Sequence, residues 1–313
     1  RRTYLKTLRD YVKALPAGVP VYGMNLGDMT QESHWTNANK ATLANFVNVC
    51  ERGGMPIQTF HAIGNHDHEF PTADEKAARA KYERYFGPVD YSFNRGKAHI
   101  VVMDNVVCTT TNQSTWTYEA GFSQQQYNWL KADLDLVENK ADKIVFLCCH
   151  IPFRNGGEAT GSNVNKDKYY DETLKLLTQF KEAHIMIGHT HYPQNYIHSG
   201  YKCQSGLPVY EHVHGGACGG WWASNLNVDG APQGYSIYEI KGNVVDNWVA
   251  KATNQSEAYQ LRAYDGNATY TGSKKYSYTW TDGGSSDKIS TPGIAGLKGC
   301  FIASIWNDDP QNW

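Results

Sequence analysis

The sequence lacks a hydrophobic run that approaches the ~20 residues needed to cross a bilayer. It also lacks any long basic or acidic run, and its formal net charge is only −2. This charge pattern does not indicate binding to nucleic acid or to a membrane surface. No Cys-x-x-Cys pair occurs, which argues against a structural zinc knuckle. The seven cysteines are scattered and cannot all pair within one chain.

Charged residues are also scarce. They make up 19% of the chain, whereas glycine, tyrosine and tryptophan are plentiful. This balance is typical of extracellular proteins rich in strands and loops, rather than of helical cytosolic enzymes. The chain begins at Arg1, with neither an initiator methionine nor a signal peptide. We therefore expect a trimmed or processed product whose targeting segment lies outside this sequence.

The pattern of apolar residues changes near residue 225. Before that point, helical spacing alternates with strand-like runs, of which residues 98–107 predict one continuous strand. After it, helical periodicity vanishes, and residues 234–249 predict a β-hairpin. We expect an α/β domain over residues 1–225 and a small β-rich domain over residues 226–313.

Four apolar, strand-like runs end in polar residues with metal-binding potential. Sheets of alternating strands and helices carry their chemistry in the loops at strand ends. We therefore expect these four loops to converge on one site. The four segments are residues 26–28 (Leu-Gly-Asp), 64–67 (Gly-Asn-His-Asp), 149–152 (Cys-His-Ile-Pro) and 188–191 (Gly-His-Thr-His).

The predicted ligands within the four segments are one carboxylate, one amide oxygen and three imidazoles. This mixture suits zinc, manganese or iron, whereas calcium prefers oxygen ligands alone. Each segment taken singly is ordinary, since Gly-Asp is a common turn and a lone histidine is more often structural. The combination favours a shared metal site, and ligands on four distant strand ends disfavour a compact structural zinc site. The predicted ligands are Asp28, Asn65, His150, His189 and His191.

In order and spacing, these segments resemble the calcineurin-like metallophosphoesterases. The pattern of that family is Asp-x-His, Gly-Asp, Gly-Asn-His-(Asp/Glu), a lone His and Gly-His-x-His. Its last four parts match the segments above, and the resemblance covers about residues 1–225. Residues 87–93 and 102–105 also look like this family, and the β-rich tail resembles the C-terminal extension of a Bacteroides-type subgroup.

The resemblance implies both a fold and an activity. The fold is α/β: a metallophosphoesterase-type four-layer αββα sandwich of two mixed sheets, followed by the small all-β C-terminal region. The activity is hydrolysis of phosphomonoesters or phosphodiesters by a hydroxide that bridges two divalent or trivalent ions of zinc, manganese or iron. The implied partner is a small phosphoester, and the implied location is the periplasm or cell envelope of a bacterium. A membrane anchor before Arg1 and the oligomeric state stay open.

The resemblance also assigns the metal ligands. Asp28 is expected to bridge the two ions through its two oxygens. Asn65, His150 and His189 are expected to hold one ion, and His191 is expected to join Asp28 on the other.

Four further residues are expected to act on the substrate. The resemblance places His66 beside the leaving-group oxygen, as a general acid or electrostatic stabiliser, with Asp67 assisting it. Trp221 and Trp222 follow a glycine-rich run and are candidates for a loop that contacts substrate. A packed aromatic corner is the alternative for the two tryptophans.

One part of the family pattern is missing. No Asp-x-His segment precedes the first helix, so the ion of Asp28 and His191 has only two predicted protein ligands. Either the upstream strand lies outside this sequence, which we favour, or the protein is a degenerate relative with one metal ion. The second case predicts a non-catalytic, envelope-associated binding module.

Overall fold

The computed structural model describes residues 2–31, 42–51, 54–70, 72, 74–109, 118–153, 169–219, 227, 231–265 and 299–306. The helices are α1 (Arg2–Ala14), α2 (Leu43–Phe46), α3 (Glu75–Phe86), α4 (Gln124–Asp135) and α5 (Tyr170–Leu177). The first strands are β1 (Tyr22–Asn25), β2 (Gln58–His61), β3 (Tyr91–Arg95), β4 (Ala98–Val102), β5 (Val106–Cys108), β6 (Tyr118–Ala120) and β7 (Ile144–Cys148). The remaining strands are β8 (Glu182–Ile187), β9 (Gln194–Lys202), β10 (Pro208–Val213), β11 (Gly234–Lys241), β12 (Val244–Ala252), β13 (Leu261–Asp265) and β14 (Phe301–Ile305).

A six-stranded mixed sheet in the order β3-β4-β7-β8-β10-β9 forms the centre of the fold. Strands β4, β7, β8 and β10 run parallel, and β3 and β9 close the two edges as antiparallel partners. Every residue of β7 and of β8 is buried, as expected for parallel strands covered on both faces. Strands β1 and β2 form a separate parallel pair.

Helices α4 and α5 cover one face of the central sheet. Helix α4 begins after Ser123, whose hydroxyl accepts a hydrogen bond from the Gln126 N–H in a capping box. Its inward face presents Leu130 and Leu134, four residues apart, to the buried side chains of the sheet. Leu177 of α5 joins the same cluster, which is the largest apolar core among the described residues.

The opposite face of the central sheet packs against strands rather than helices. Phe146 and Met186 belong to an apolar cluster on this face, against which Met24 of β1 and Tyr238 of the β11–β12 hairpin pack. The hairpin is antiparallel, as predicted from residues 234–249. Beyond this layer lies α1, whose Tyr4 packs edge-on against Tyr235 of β11.

A further apolar cluster joins the helices to the loops that follow β1 and β2. Met29 and Ile63 come from those loops, and Leu43 and Tyr82 come from α2 and α3. Helices therefore cover both outer surfaces, with two strand layers between them. This arrangement confirms the predicted α/β fold class with its C-terminal strand region. The domain boundary at residue 225 lies outside the described residues and stays a prediction. Among the residues described, no helix is long and apolar enough to cross a bilayer.

Candidate metal centre

Four loops bring predicted ligands to one place. Asp28 follows β1, Asn65 follows β2, His150 follows β7 and His189 follows β8. Because β1 runs parallel to β2 and β7 runs parallel to β8, the carboxyl ends within each pair meet at one edge. The packing of the β1–β2 pair on the central sheet then brings the two edges together.

The ligand atoms of these four residues converge closely. His150 Nε2 lies 3.0 Å from Asn65 Oδ1 and 3.2 Å from Asp28 Oδ2. His189 Nδ1 lies 3.0 Å from the same Asn65 oxygen and 3.2 Å from His150 Nε2. Ligands of one tetrahedral metal ion lie about 3.3 Å apart when each is about 2 Å from the ion, so the spacing fits a metal site.

The hydrogen bonds of His150 define the chemistry of this cluster. His150 Nδ1 lies 2.6 Å from the Leu26 carbonyl oxygen, which can only accept, so Nδ1 carries the proton. Nε2 is then directed at the side-chain oxygens of Asp28 and Asn65. A proton or a metal ion between these atoms holds them at this distance. The residues therefore fit a bound metal ion, and a backbone carbonyl on the outer ring nitrogen is the usual support of a histidine ligand.

The electrostatics of the metal-free residues lead to the same conclusion. Burial alone raises the pKa of Asp28, but His150, His66 and His189 together hold that pKa well below its ordinary value. Burial lowers the pKa of His150, yet Asp28 outweighs burial and raises it. For His189, burial and then His150 lower the pKa to about 3. The site therefore favours one positive charge beside Asp28.

Backbone strain is concentrated at the same residues. Asp28, His189 and His191 have positive φ angles of 57°, 70° and 61°. The other described non-glycine residues with positive φ are Asn139 and Asn254, a residue type that tolerates this conformation. Left-handed backbone costs of order 1–3 kcal/mol at residues such as histidine and persists mainly where function requires it.

Two glycines permit the close approach of the loops. A Cβ on Gly27 would lie 2.5 Å from His150 Nδ1, and one on Gly64 would overlap the Asp28 backbone nitrogen and side-chain oxygen. The glycine of each motif is therefore required by space, and at Gly27 also by a positive φ of 99°.

A cavity of about 310 Å³ opens onto the cluster. His191 lines this cavity, but it does not belong to the tight group of Asp28, His150 and His189, whose ligand atoms lie within 4.8 Å of one another. Sequence analysis missed three lining residues. Thr190 and Tyr192 adjoin predicted ligands, which is a usable signal, whereas nothing in the sequence marked Tyr118. The full lining is Asp28, Asn65, His66, Tyr118, His189, Thr190, His191 and Tyr192.

His66 and Asp67 occupy different positions despite being neighbours. His66 lines the cavity, and its Nδ1 lies 2.6 Å from the Gln31 carbonyl oxygen, so Nδ1 carries a proton. Asp67 is fully buried and accepts hydrogen bonds from the backbone N–H groups of Thr30 and Gly64. Its contacts favour a role in fixing two loops. Direct assistance to His66 stays a prediction.

Asp104 and Asn105 support the centre from the loop between β4 and β5. Asn105 is completely buried and binds the backbone of the His150 loop through its amide group. Asp104 Oδ2 lies 3.0 Å from His68 Nε2, and His68 Nδ1 bonds to the Gly64 carbonyl. Sequence analysis assigned residues 98–107 to one strand and missed this role, although residues 102–105 carried the family resemblance. Trp221 and Trp222 lie outside the described residues.

Comparison with protein-family models decides the classification. The model described as calcineurin-like phosphoesterase matches residues 3–193, which is more than half of the chain. This protein belongs to the calcineurin-like phosphoesterase family. The model described as the C-terminal region of calcineurin-like phosphoesterases matches residues 211–312. A metallophosphoesterase family implies divalent metal ions, which agrees with the donor set of the candidate centre. The family predicted from the sequence motifs is therefore confirmed.

Two solved structures resemble this phosphoesterase. The purple acid phosphatase from yellow lupin (Lupinus luteus) seeds is 13% identical, with a TM-score of 0.43, over 67% of this chain and 38% of that chain. The structure of PhoD is 12% identical, with a TM-score of 0.45, over 67% of this chain and 53% of that chain. The aligned regions thus span about two-fifths and one-half of those proteins. No curated protein sequence matches the chain.

Proposed function

We propose that this phosphoesterase hydrolyses small phosphomonoesters or phosphodiesters with the help of two metal ions. The observation that carries the proposal is the convergence of Asp28, Asn65, His150 and His189, whose ligand atoms approach to 3.0–3.2 Å. Zinc, manganese and iron all suit this set of imidazole, carboxylate and amide ligands.

The two ions would divide the ligands between them. Asn65, His150 and His189 would hold the first ion, since their donor atoms surround one point. Asp28 would bridge to the second, with His191 as a further ligand. His191 borders the same cavity as Asp28, and its burial there lowers the pKa of its ring, which keeps the imidazole in the neutral form that binds metal.

Bound metal ions would neutralise phosphate oxygens and lower the pKa of the attacking water. The chain itself would supply the proton for the leaving group. His66 faces the cavity, and the Gln31 carbonyl fixes the proton on Nδ1. As the imidazolium, His66 donates its Nε2 proton to the departing oxygen, which is general acid catalysis. A periplasmic or envelope location, and contact of Trp221 and Trp222 with substrate, stay predictions from the sequence.

A second candidate function is a binding module with one metal ion and no turnover. The position of His191 favours it. Among the described residues near the cavity, only Asp28, His150 and His189 form a group of ligand atoms within 4.8 Å. A protein with this group alone retains one cation and can bind a phosphoryl group without hydrolysing it.

Metal content and turnover, measured together, separate the two candidates. The protein is stripped with a chelator, reloaded with Zn²⁺, Mn²⁺ or Fe²⁺, and assayed on p-nitrophenyl phosphate and bis(p-nitrophenyl) phosphate. The leading proposal expects two equivalents bound by the candidate ligands and metal-dependent hydrolysis of at least one substrate. One equivalent at those ligands, without turnover in a folded protein, overturns it and supports the binding module.

Matched variants link the result to the site. Asp28→Asn removes the bridging charge, so it should lower both metal content and turnover. Asp10→Asn is the control, because it neutralises an exposed carboxylate on α1, remote from the cavity, whose partner is Lys6. If both variants lose activity equally, the loss does not come from the metal centre and the assignment of Asp28 fails.

A further inference from the structure

A second group of metal-ligating side chains lies behind the candidate centre. His68 directly follows the short 3-10 turn Asn65–Asp67, Glu75 is the first residue of α3 and Cys108 is the last residue of β5. One ligand atom from each lies within 4.8 Å of the other two. His68 and Cys108 are buried and Glu75 is half-buried. The group shares no residue with the candidate centre.

The ring of His68 is oriented as a metal ligand would be. Its Nδ1 lies 2.9 Å from the Gly64 carbonyl oxygen, which accepts a proton from that nitrogen. The other ring nitrogen, Nε2, lies 3.0 Å from Asp104 Oδ2. A histidine that donates one N–H to a backbone carbonyl presents its other nitrogen for coordination. Only a proton or a cation can hold Nε2 and the carboxylate together.

Negative charge accumulates around these groups. Burial and the carboxylates of Glu75 and Asp104 raise the pKa of the Cys108 thiol to about 12. Arg79 is a positive group that acts on this region. Burial lowers the pKa of His68, but Asp104 outweighs burial and raises that pKa to about 9, so a bound ion would displace the proton of His68 Nε2. Two carboxylates and a thiol in one partly buried volume attract a cation, and a divalent ion would displace the thiol proton into solvent.

We propose that His68, Glu75 and Cys108 form a cation site for zinc or a similar borderline divalent ion, with Asp104 as the neighbouring fourth ligand. The nitrogen, sulfur and carboxylate donors are those that zinc takes in tetrahedral sites, with bond lengths of about 2.0–2.3 Å. The ligand atoms of His68, Glu75 and Cys108 lie within 4.8 Å of one another and need to approach by no more than about 1.5 Å to reach those bonds. Rotation of the side chains supplies such a change.

The proposed ion would connect three separate elements. It would join the turn that carries Asn65 and His66 to the start of α3 and to the end of β5. A structural metal ion of this kind stabilises the fold and thereby fixes the loop that presents two residues of the candidate centre. The site does not depend on the proposed phosphoesterase reaction.

Cobalt substitution tests the proposal with a signal that the candidate centre cannot give. Asp28, Asn65, His150, His189 and His191 include no thiol, so a thiolate-to-cobalt charge-transfer band reports on a cysteine ligand alone. The full chain is stripped of metal with a chelator and loaded with Co²⁺, and its absorption spectrum is recorded in the near ultraviolet. The proposal expects this band in the unmodified protein and one equivalent of cobalt beyond those held at the candidate centre.

Two variants identify the cysteine. Cys108→Ser should abolish the band and remove one equivalent of metal, and Cys203→Ser should keep both. Cys203 is the matched control because it is a buried free thiol in a different apolar cluster. Glu75→Gln retains the shape of the side chain and should weaken cobalt affinity at least tenfold while the protein stays folded.

The outcomes separate this site from the proposed function. Absence of the band in cobalt-loaded protein, or its persistence in folded Cys108→Ser, overturns the site. The band with no phosphoesterase turnover leaves the site standing and counts only against the proposed reaction. Turnover without the band overturns the site and leaves the proposed reaction standing.

Discussion

The side-chain oxygen of Asn105 accepts hydrogen bonds from the backbone N–H groups of both His150 and Ile151, at 3.1 and 2.9 Å. The amide nitrogen of Asn105 donates to the Ile151 carbonyl at 2.7 Å. One buried amide thus satisfies three backbone groups of the loop that carries a predicted ligand. A carboxylate or an apolar side chain cannot make all three bonds.

Replacement of Asn105 by alanine should destabilise the protein and loosen the His150 loop. The variant leaves three buried backbone groups without partners, and each such group costs about 1–3 kcal/mol. We expect the free energy of unfolding to fall by roughly 3 kcal/mol or more in urea titrations, and metal affinity to fall with it. Asn243→Ala is the control, since the amide nitrogen of Asn243 bonds to Asp142 at the surface. Equal losses in both variants would contradict the role of Asn105.

His66→Ala should separate catalysis from metal binding. His66 lines the cavity but lies outside the group of closely spaced ligands. We expect metal content to stay the same and kcat to fall by about 10²–10⁴, the usual effect of losing a general acid. Elemental analysis and steady-state kinetics on one preparation provide both numbers. If the variant loses metal instead, His66 is a ligand and its assignment as an acid is wrong.

Gly64→Ala should disrupt the centre by steric overlap alone. The new Cβ would overlap the backbone nitrogen of Asp28, and backbone atoms cannot move aside as a flexible side chain can. We expect loss of metal and a destabilisation of about 1–3 kcal/mol from overpacking. Gly200→Ala is the matched control, because a Cβ at Gly200 meets nothing within 4 Å. Full metal content in folded Gly64→Ala would show that the two loops can separate without cost.

Stability should fall in mild acid because of a buried histidine on β10. His184 Nδ1 and His212 Nε2 lie 2.9 Å apart, and His212 is almost fully buried. Burial, then His184 and His214, hold the pKa of His212 well below 6.5. The folded state keeps the ring neutral while the unfolded chain takes up a proton below pH 6.5. Stability is therefore present above that pH and is lost as the pH falls.

The contribution of His212 can be isolated by difference. One such group changes the free energy of unfolding by up to about 1.4 kcal/mol per pH unit below its unfolded pKa. Urea titrations between about pH 5 and 7.5 should show a shallower slope for His212→Gln than for the unmodified protein. Identical slopes would mean that the folded protein admits a proton at this position.

The predicted ligands could be found from the sequence because their chemistry is local. Each follows an apolar strand, and the rule that loops at parallel strand ends meet does not depend on the details of packing. Asp67 shows the limit of that reasoning. Its place in the motif suggested chemistry, whereas its burial under Thr30 and Gly64 follows from loop packing that no local pattern encodes. Tyr118 enters the cavity through tertiary packing alone.

The interruption after β4 was missed for a related reason. Residues 98–107 are apolar enough to predict one strand, but the structure ends β4 at Val102 and begins β5 at Val106. Asp104 and Asn105 lie between them because their side chains bind other loops, so tertiary hydrogen bonds override the local strand preference. The β11–β12 hairpin was predicted because its alternation and turn are short-range features.

The contact between Tyr4 of α1 and Tyr235 of β11 has a consequence for how the chain folds as it is synthesised. Helix α1 leaves the ribosome long before its partner strand, because the two elements lie far apart in the sequence. Contacts so distant in sequence form late and slowly, because a long loop must close before they stabilise anything. Until β11 arrives, the side of α1 that carries Tyr4 lacks this partner, so the nascent chain presents apolar surface that favours aggregation.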